Sequence, residues 1–354
     1  MTPELGIIEG FFGRPYSWSE RADMVSALKP YGYGFYLYAP KADGHLRRRW
    51  REPYPDSDLD NLRDFAGHCR RTGVRFGVGL SPYELFLDFD QSARDALATK
   101  LAQLDTLGLA DLGVYFDDMK GDLPVLAQRQ VEIIHWIAER TRASRLIVCP
   151  SYYTDDPVLD RVFGQRPANY LEDLGRDLDP AIQLMWTGEE VCAREFSPGH
   201  LDRVAEQMRR KPFLWDNYPV NDGPRMSPHL HLRAFTGRPA AIGDHIAGHA
   251  INTASQAVLS QIPAVTLAES YRQGEAYQYT GAFRRAARAV LGPDLADVVE
   301  RNLLLLEDTG LKGLDDERKG KLRARFAAFD HPAAREIVAW LDGAWDSASE
   351  LQTQ

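Results

Sequence analysis

The feature that most constrains the fold of this chain is a regular alternation between two kinds of segment. Short apolar runs, rich in β-branched and aromatic residues, are separated by longer segments in which apolar residues recur with the period of a helix. Eight runs have the length and composition of strands: 6–12, 34–39, 74–80, 112–117, 145–149, 182–186, 212–215 and about 246–251. Eight strands alternating with helices over about 250 residues predict an α/β protein, most economically a (β/α)8 barrel of the TIM type.

The segments between the strands carry their own helix signals. Ser17 or Ser19 can cap the first helix. A doubly wound sheet is the alternative fold, but it usually carries a glycine-rich phosphate-binding turn after its first strand. Residues 9–15 contain no GxGxxG pattern, so we favour the barrel. The predicted helices lie at about 18–29, 58–72, 91–107, 123–142, 168–176 and 199–210.

The strand pattern ends at about residue 275, which predicts a different structure for the remainder of the chain. Residues 278–350 have the periodicity of three or four amphipathic helices, with breaks at Gly292-Pro293, Gly310, Gly313 and His331-Pro332. We therefore predict a barrel over residues 1–275 and a small C-terminal helical appendage over residues 276–354, packed on the barrel or lying across its mouth. These helices are also the candidate contact for a homodimer.

Composition narrows the class of partner. The chain has 354 residues and a formal net charge of −9, and this acidic balance argues against nucleic acid, whose phosphates attract an excess of Lys and Arg. No apolar run approaches the ~20 residues needed to cross a bilayer, so we expect no membrane partner. Cys69, Cys149 and Cys192 lack CxxC spacing, which suits a reducing compartment. The N-terminus shows no secretory signal, and we expect a cytoplasmic protein.

Functional residues of such a barrel lie at the carboxyl ends of its strands and in the loops that follow. These positions hold mainly carboxylates, amides and aromatic residues: Glu9, Lys41, Asp43, Asp117, Asp118, Tyr152, Tyr153, Trp186, Thr187, Asp216, Asn217, Asp222 and Asn252. They include no Ser-His-Asp arrangement, which leaves hydrolysis by carboxylates as the chemistry to test. The histidines at 229, 231, 245 and 249 lack a neighbouring carboxylate triad, so we expect no metal and no other cofactor.

The sharpest local motif is the doublet Asp117-Asp118, which closes an apolar strand. Both carboxyl groups could face the barrel mouth if the strand breaks at its end. Like charges this close resist double ionisation, so the pKa of one should rise, and that residue could act as a general acid while the other stays ionised. A helix N-cap pair, a surface turn and a divalent-metal site are the alternative interpretations of the doublet.

Eight sequence blocks in a fixed order carry a family resemblance. They are GIIEGFFGRPY (6–16), YLYAPKAD (36–43), WREPY (50–54), FDD (116–118), CPSYY (149–153), MWTG (185–188), WDNYPVND (215–222) and AIN (250–252). Together they resemble the protein O-GlcNAcase family, glycoside hydrolase family 84, which includes bacterial β-N-acetylglucosaminidases once labelled hyaluronidases. The resemblance covers about residues 6–260.

The resemblance implies a retaining enzyme that removes terminal β-linked N-acetylglucosamine (GlcNAc) from a glycan or glycoprotein. In this family the substrate's own 2-acetamido oxygen attacks the anomeric carbon and forms an oxazoline, so no protein nucleophile is needed. By match, Asp117 would accept a hydrogen bond from the acetamido N–H. Asp118 would protonate the leaving oxygen and then deprotonate the water that opens the oxazoline.

The same resemblance implies a set of sugar-binding residues: Gly10, Lys41, Tyr153, Trp186, Trp215, Asn217, Asp222 and Asn252. Gly10 would offer its backbone and Lys41 its ammonium group to ring hydroxyls, and Asp222 would accept from the hydroxyls farthest from the acetamide. Tyr153, Asn217 and Asn252 would position the acetamide and its neighbours, and the two tryptophans would wall the pocket. Plainer roles are the alternatives: a surface ion pair for the lysine, core packing for Trp215, turns for the asparagines and close packing for the glycine.

Two positions depart from the family pattern. Phe12 stands where a tyrosine is common, and Tyr152 stands where an acidic residue is often found, so the hydrogen bonds of the pocket differ there. An endo-acting hyaluronidase-like hexosaminidase is the nearest alternative function. A catalytically silent GlcNAc-binding protein is the alternative from another class, and the intact Asp117-Asp118 doublet argues against it.

Overall fold

The computed structural model describes residues 2–345 and confirms the predicted (β/α)8 barrel. Each strand pairs in parallel with the next, and the eighth pairs with the first to close the sheet. The strands are β1 (Leu5–Glu9), β2 (Tyr33–Tyr38), β3 (Arg75–Leu80), β4 (Asp111–Tyr115), β5 (Arg145–Cys149), β6 (Gln183–Trp186), β7 (Phe213–Asp216) and β8 (Gly248–Asn252).

Helices surround the barrel and continue beyond it. Ser17 caps the first of them, in a capping box with Glu20. No described helix is both long and apolar enough to cross a membrane. The helices are α1 (Trp18–Leu28), α2 (Asp56–Thr72), α3 (Gln91–Asp105), α4 (Leu126–Ala138), α5 (Val158–Phe163), α6 (Tyr170–Asp177), α7 (Pro198–Met208), α8 (Gly223–Met226), α9 (Gln261–Gln273), α10 (Tyr279–Leu291), α11 (Pro293–Leu303), α12 (Gly310–Gly313), α13 (Asp316–Ala327) and α14 (Pro332–Leu341), with a π-helix (Leu304–Thr309) between α11 and α12.

Two strands are shorter than the sequence pattern predicts. β1 ends at Glu9 rather than at residue 12, and β4 ends at Tyr115 rather than at residue 117. The apolar pattern runs past both ends because Phe11 and Phe116 stay buried after the chain has left the sheet. The residues that follow each strand therefore belong to the loops of the barrel mouth.

Aromatic side chains fill the barrel beneath this mouth. Tyr115 occupies space left by two glycines, since a Cβ on Gly79 or Gly113 would lie 2.2 or 2.4 Å from atoms of its ring. The Tyr115 ring also contacts Trp215 edge-on, at a centroid distance of 5.4 Å. At the opposite end, the barrel is closed by ion pairs among Glu4, Arg75, Asp111 and Arg145.

Two carboxylates at strand ends face outward rather than into the mouth. Glu9 accepts hydrogen bonds from Arg21 of α1 and from the Tyr36 hydroxyl, each at 2.7 Å. Asp216 pairs with Arg238, at 2.6 Å. Successive residues of a strand point to opposite faces, so these two carboxylates bind residues packed around the barrel and do not reach the mouth.

The C-terminal helices pack against loops at the barrel mouth. Glu336 of α14 accepts hydrogen bonds from the backbone N–H groups of Val258 and Leu259, at 2.8 and 2.9 Å. The indole of Trp340 donates to the Ser227 carbonyl at 3.1 Å. The division predicted between residues 275 and 276 stays a prediction, and residues 346–354 of the predicted appendage lie outside the described residues.

Candidate active site

A pocket opens at the carboxyl ends of the strands, where the functional sites of such barrels lie. Nine of the ten site residues predicted from the sequence line it, and Trp186 does not. These nine residues therefore lie together around one pocket, while their roles stay predictions. The nine are Gly10, Lys41, Asp117, Asp118, Tyr153, Trp215, Asn217, Asp222 and Asn252.

Asp117 follows β4 and is 4% exposed. Its Oδ2 accepts a hydrogen bond from the Lys41 ammonium group. Its Oδ1 is buried and has no hydrogen-bond partner among the described residues. Burial alone would raise the pKa of Asp117, but the charges of Lys41 and Arg47 hold this pKa below its ordinary value. The side chain is therefore an ionised carboxylate with one oxygen free to accept a hydrogen bond.

Asp118 adopts a left-handed backbone conformation, with φ of 55°. Its Oδ1 accepts a hydrogen bond from the Tyr153 hydroxyl at 2.9 Å. Burial and the neighbouring Asp117 charge raise the pKa of Asp118, against the lowering effects of Lys41, Arg47 and the Tyr153 hydrogen bond. The doublet therefore has the divided character predicted from the sequence, with one carboxyl held ionised and the other biased toward its protonated form.

Arg47 contacts the backbone of the Asp117-Asp118 doublet, a contact that the sequence did not predict. It is 6% exposed, and its guanidinium nitrogens lie 3.4 Å from the Asp117 carbonyl oxygen and 3.3 Å from that of Asp118. Arg47 lies in a short basic run, residues 45–49, whose charged composition gives no indication that one of its side chains is buried. The signal that could have singled it out is the apolar Leu46 beside it, which is buried and turns this part of the run inward.

The asparagines form a fixed network on the opposite wall. Asn217 Oδ1 accepts from the Asn252 amide at 2.9 Å and from the Trp215 indole at 3.0 Å. Asn252 Oδ1 accepts from the Gly10 N–H at 3.1 Å. Because that N–H is already used, a sugar contact to the Gly10 backbone would involve its carbonyl. The Gly10 Cα also needs to lack a side chain, since a Cβ there would lie 2.4 Å from Trp215 Cζ2.

Asp222 closes the third side of the pocket. Its Oδ2 accepts from the Phe12 N–H at 2.7 Å. Burial raises the pKa of Asp222 to about 6, with a further upward contribution from Asp118 and opposing contributions from the Phe12 N–H and Lys41. Such a carboxylate remains largely ionised at neutral pH and can accept hydrogen bonds from hydroxyl groups.

The prediction that Trp186 walls the pocket is wrong. Its side chain is fully buried on the outer side of β6, where the indole donates to His200 of α7 at 2.9 Å. The alternation of side chains along the strand brings the next residue, Thr187, into the pocket instead. Tyr152 likewise packs away from the pocket, with its hydroxyl donating to the Gly164 carbonyl at 2.6 Å.

Sequence reasoning missed four further lining residues: Cys149, Val191, Cys192 and Val220. These small or apolar side chains carry no chemical signature that would separate them from core residues. The described residues contain no group of three or more His, Cys, Asp or Glu arranged to hold a metal ion. His249, for example, pairs with Asp216 on the outer face of the barrel.

Comparison with known proteins finds relatives along most of the chain. Residues 5–303 match the sequence family described as beta-N-acetylglucosaminidase. Protein O-GlcNAcase of Mus musculus and that of Rattus norvegicus are each 27% identical over 277 residues, which is 75% of this chain and 30% of theirs. The chain thus spans about 30% of the length of these two relatives. The structure of a mutant of Thermobaculum terrenum O-GlcNAc hydrolase is similar with a TM-score of 0.79 and 26% identity, covering 96% of this chain and 80% of that one.

Proposed function

The chain belongs to the beta-N-acetylglucosaminidase family, as its sequence blocks predicted, and from that premise we propose that it is a retaining exo-β-N-acetylglucosaminidase with O-GlcNAcase-like activity. Its substrate is a glycan or glycoprotein that ends in β-linked GlcNAc. The substrate's acetamido oxygen attacks the anomeric carbon as the bond to the leaving oxygen breaks, which forms an oxazoline. Water then opens this ring and restores the β configuration.

The observation that carries the proposal is the unpartnered Oδ1 of the buried Asp117 carboxylate. A buried carboxylate oxygen without a donor is costly, so a ligand that brings an N–H group to it gains binding energy. The acetamido N–H of GlcNAc is such a donor. As positive charge spreads over the acetamide during oxazoline formation, this contact strengthens, and the free energy of the transition state falls.

Asp118 supplies the proton that the leaving oxygen needs. Its raised pKa keeps a protonated fraction available, and the same side chain can later accept a proton from the attacking water. The Tyr153 hydroxyl, which donates to Asp118 Oδ1, holds the carboxyl group in one orientation. No protein nucleophile is required in this scheme. This agrees with the contact at Asp117, whose carboxylate already accepts a hydrogen bond from Lys41.

The remaining pocket residues suit the recognition of one terminal sugar. Asp222 and Lys41 present a carboxylate and an ammonium group to ring hydroxyls, and the Trp215 ring offers an apolar face at the floor. Hydrolysis of an aryl β-GlcNAc substrate without hydrolysis of hyaluronan would support exo action, and cleavage of hyaluronan would support the endo alternative.

Two substitutions test the assignment. Asp118→Asn should reduce kcat by about 10²–10⁴-fold on substrates with poor leaving groups and far less on activated aryl glycosides, which need little protonation. Asp117→Asn should reduce activity on both substrates. Asp95→Asn, on the exposed surface of α3, is the matched control. Equal losses on both substrates for Asp118→Asn, or near-full activity of Asp117→Asn, would contradict the proposal.

A further inference from the structure

A second cavity adjoins the sugar pocket and has a different character. Three of the residues that line it, Phe12, Lys41 and Asp118, also line the sugar pocket. If Asp118 protonates the leaving oxygen, as in the proposed function, the group that leaves must lie on the far side of this side chain from the sugar. The second cavity, here called the outer groove, is therefore where the aglycone binds.

The outer groove is basic in a chain that is acidic overall. Its lining includes five cations and two carboxylates, while the formal net charge of the whole chain is −9. The carboxylates are Asp118 and Glu84, and the cations are Lys41, Arg47, Arg48, Arg49 and Lys120. Lys41 and Arg47 are already engaged with the Asp117-Asp118 doublet, so the outer three cations decide what the groove attracts.

Two of those cations are available to a ligand. Arg48 is exposed and lies over the Tyr83 ring, 4.4 Å from its centroid, and it forms no ion pair with any residue between 2 and 345. Lys120 is 72% exposed, and its ammonium lies 3.7 Å from the half-exposed Asp122 carboxylate, a loose contact. Arg49, by contrast, pairs with Glu52 at 3.1 Å.

The two available cations come from different loops. Arg48 belongs to the loop after β2, and Lys120 stands two residues after Asp118 in the loop after β4. We propose that the outer groove selects aglycones in which acidic residues flank the glycosylated position of an extended peptide, with Arg48 and Lys120 as the specificity-determining residues. The peptide lies between the two loops, and its Glu or Asp side chains pair with these cations. This inference rests on the proposed function.

The test compares two synthetic glycopeptides of equal length, each with one β-GlcNAc-serine. Glutamates flank the serine in one, and glutamines of the same shape replace them in the other. The ratio of their kcat/KM values should favour the glutamate peptide by about threefold to tenfold at low salt, the range expected of two exposed ion pairs. The ratio should approach one at high salt, because added ions screen exposed charges.

The double variant Arg48→Gln/Lys120→Gln should abolish the preference for the glutamate peptide. Arg51→Gln is the matched control, since Arg51 is exposed on the same loop, stacks on Trp50 and does not line the groove. Equal rates on the two peptides would overturn the inference, as would a preference that survives in the double variant. A preference only for an acidic disaccharide, GlcNAc β-linked to N-acetylmuramic acid, over its neutral counterpart would also overturn it. An aryl β-GlcNAc substrate separates the two proposals: without its hydrolysis the proposed function itself fails.

Discussion

At the scale of single residues, the backbone of Asp118 explains how two adjacent carboxyl groups share one pocket. Neighbouring side chains in an extended strand point to opposite faces, so Asp117 and Asp118 could not both face the mouth from within β4. The left-handed conformation at Asp118 turns its side chain toward the pocket. A non-glycine residue in this conformation costs about 1–3 kcal/mol, and it persists where the surroundings hold it. Here the Tyr153 hydroxyl and the Arg47 guanidinium hold it.

The hydroxyl of Tyr153 also affects how activity depends on pH. It donates to Asp118 and thereby favours the ionised form, which opposes the rise in the pKa of Asp118 caused by burial and by Asp117. Activity requires protonated Asp118, so kcat/KM falls as the pH rises through this pKa. Tyr153→Phe removes the hydrogen bond, and the alkaline limb of the profile should move to higher pH, together with a lower maximum rate. The measurement is kcat/KM for an aryl β-GlcNAc substrate across pH.

Tyr152→Phe is the matched control for this pH shift. Its hydroxyl donates to the Gly164 carbonyl and does not reach the doublet, so the alkaline limb should stay in place. In both variants kcat/KM should fall on the acidic side as Asp222, whose pKa burial raises to about 6, becomes protonated, while Lys41 and Arg47 keep Asp117 ionised to lower pH. An unchanged alkaline limb in Tyr153→Phe would show that the hydroxyl does not control the acid.

The sequence was informative about site residues that carry charge or amide groups and follow a strand. Asp117, Asp222 and Asn252 could be located this way because chemistry and position coincide. Trp186 was misplaced because side chains along β6 alternate between its two faces. The side chain of Thr187, and not that of Trp186, therefore lines the pocket. Arg47 was missed because its contacts are to backbone carbonyls, which leave no trace in side-chain type.

At the scale of elements, the strands were predictable because hydrophobic runs and helical periodicity alternate so regularly. Seven of the predicted strands lie within two residues of those observed at both ends. The first and fourth strands were drawn too long, since Phe11 and Phe116 are buried although they lie beyond the last residue of their strands. The short helix α5 (Val158–Phe163) was not predicted, because a helix of six residues is too brief for a periodic pattern.

Glu9 and Arg21 join β1 to α1, and this ion pair should be important for stability. Glu9 is fully buried, Arg21 is 3% exposed, and the two side chains meet at 2.7 Å. Arg21→Met leaves a buried carboxylate without its partner, and the free energy of unfolding should fall by about 3–5 kcal/mol. Because Gly10 follows Glu9 and donates to Asn252, KM should rise as well. Denaturant unfolding and steady-state kinetics measure the two effects.

The double variant Glu9→Gln/Arg21→Met distinguishes the ion pair from general packing. It removes the unpaired charge, and Gln can still accept from the Tyr36 hydroxyl, so the double variant should be more stable than Arg21→Met alone. A double variant that loses the sum of the two single losses would indicate that the two side chains act independently.

At the scale of the whole molecule, the C-terminal helices are attached to the loops that carry the site. Glu336 binds the backbone N–H groups of Val258 and Leu259, which lie beyond β8 and its Asn252. Trp340 binds the Ser227 carbonyl, in the loop that begins after β7 and contains Asp222. The appendage is therefore expected to support the pocket and to unfold together with the barrel, even though its sequence pattern marks it as a separate segment.

Trp340→Ala tests this coupling because it removes a large side chain from the junction. Trp340 is 1% exposed, so the cavity should lower the free energy of unfolding by about 3–5 kcal/mol. If helices and barrel form one cooperative unit, near-UV and far-UV circular dichroism should still report one coincident transition, at a lower temperature. Trp345→Ala is the control, since Trp345 is only partly buried and its loss should cost much less. Two separate transitions, or a barrel that keeps its original melting temperature, would show that the appendage folds independently of the site that it contacts.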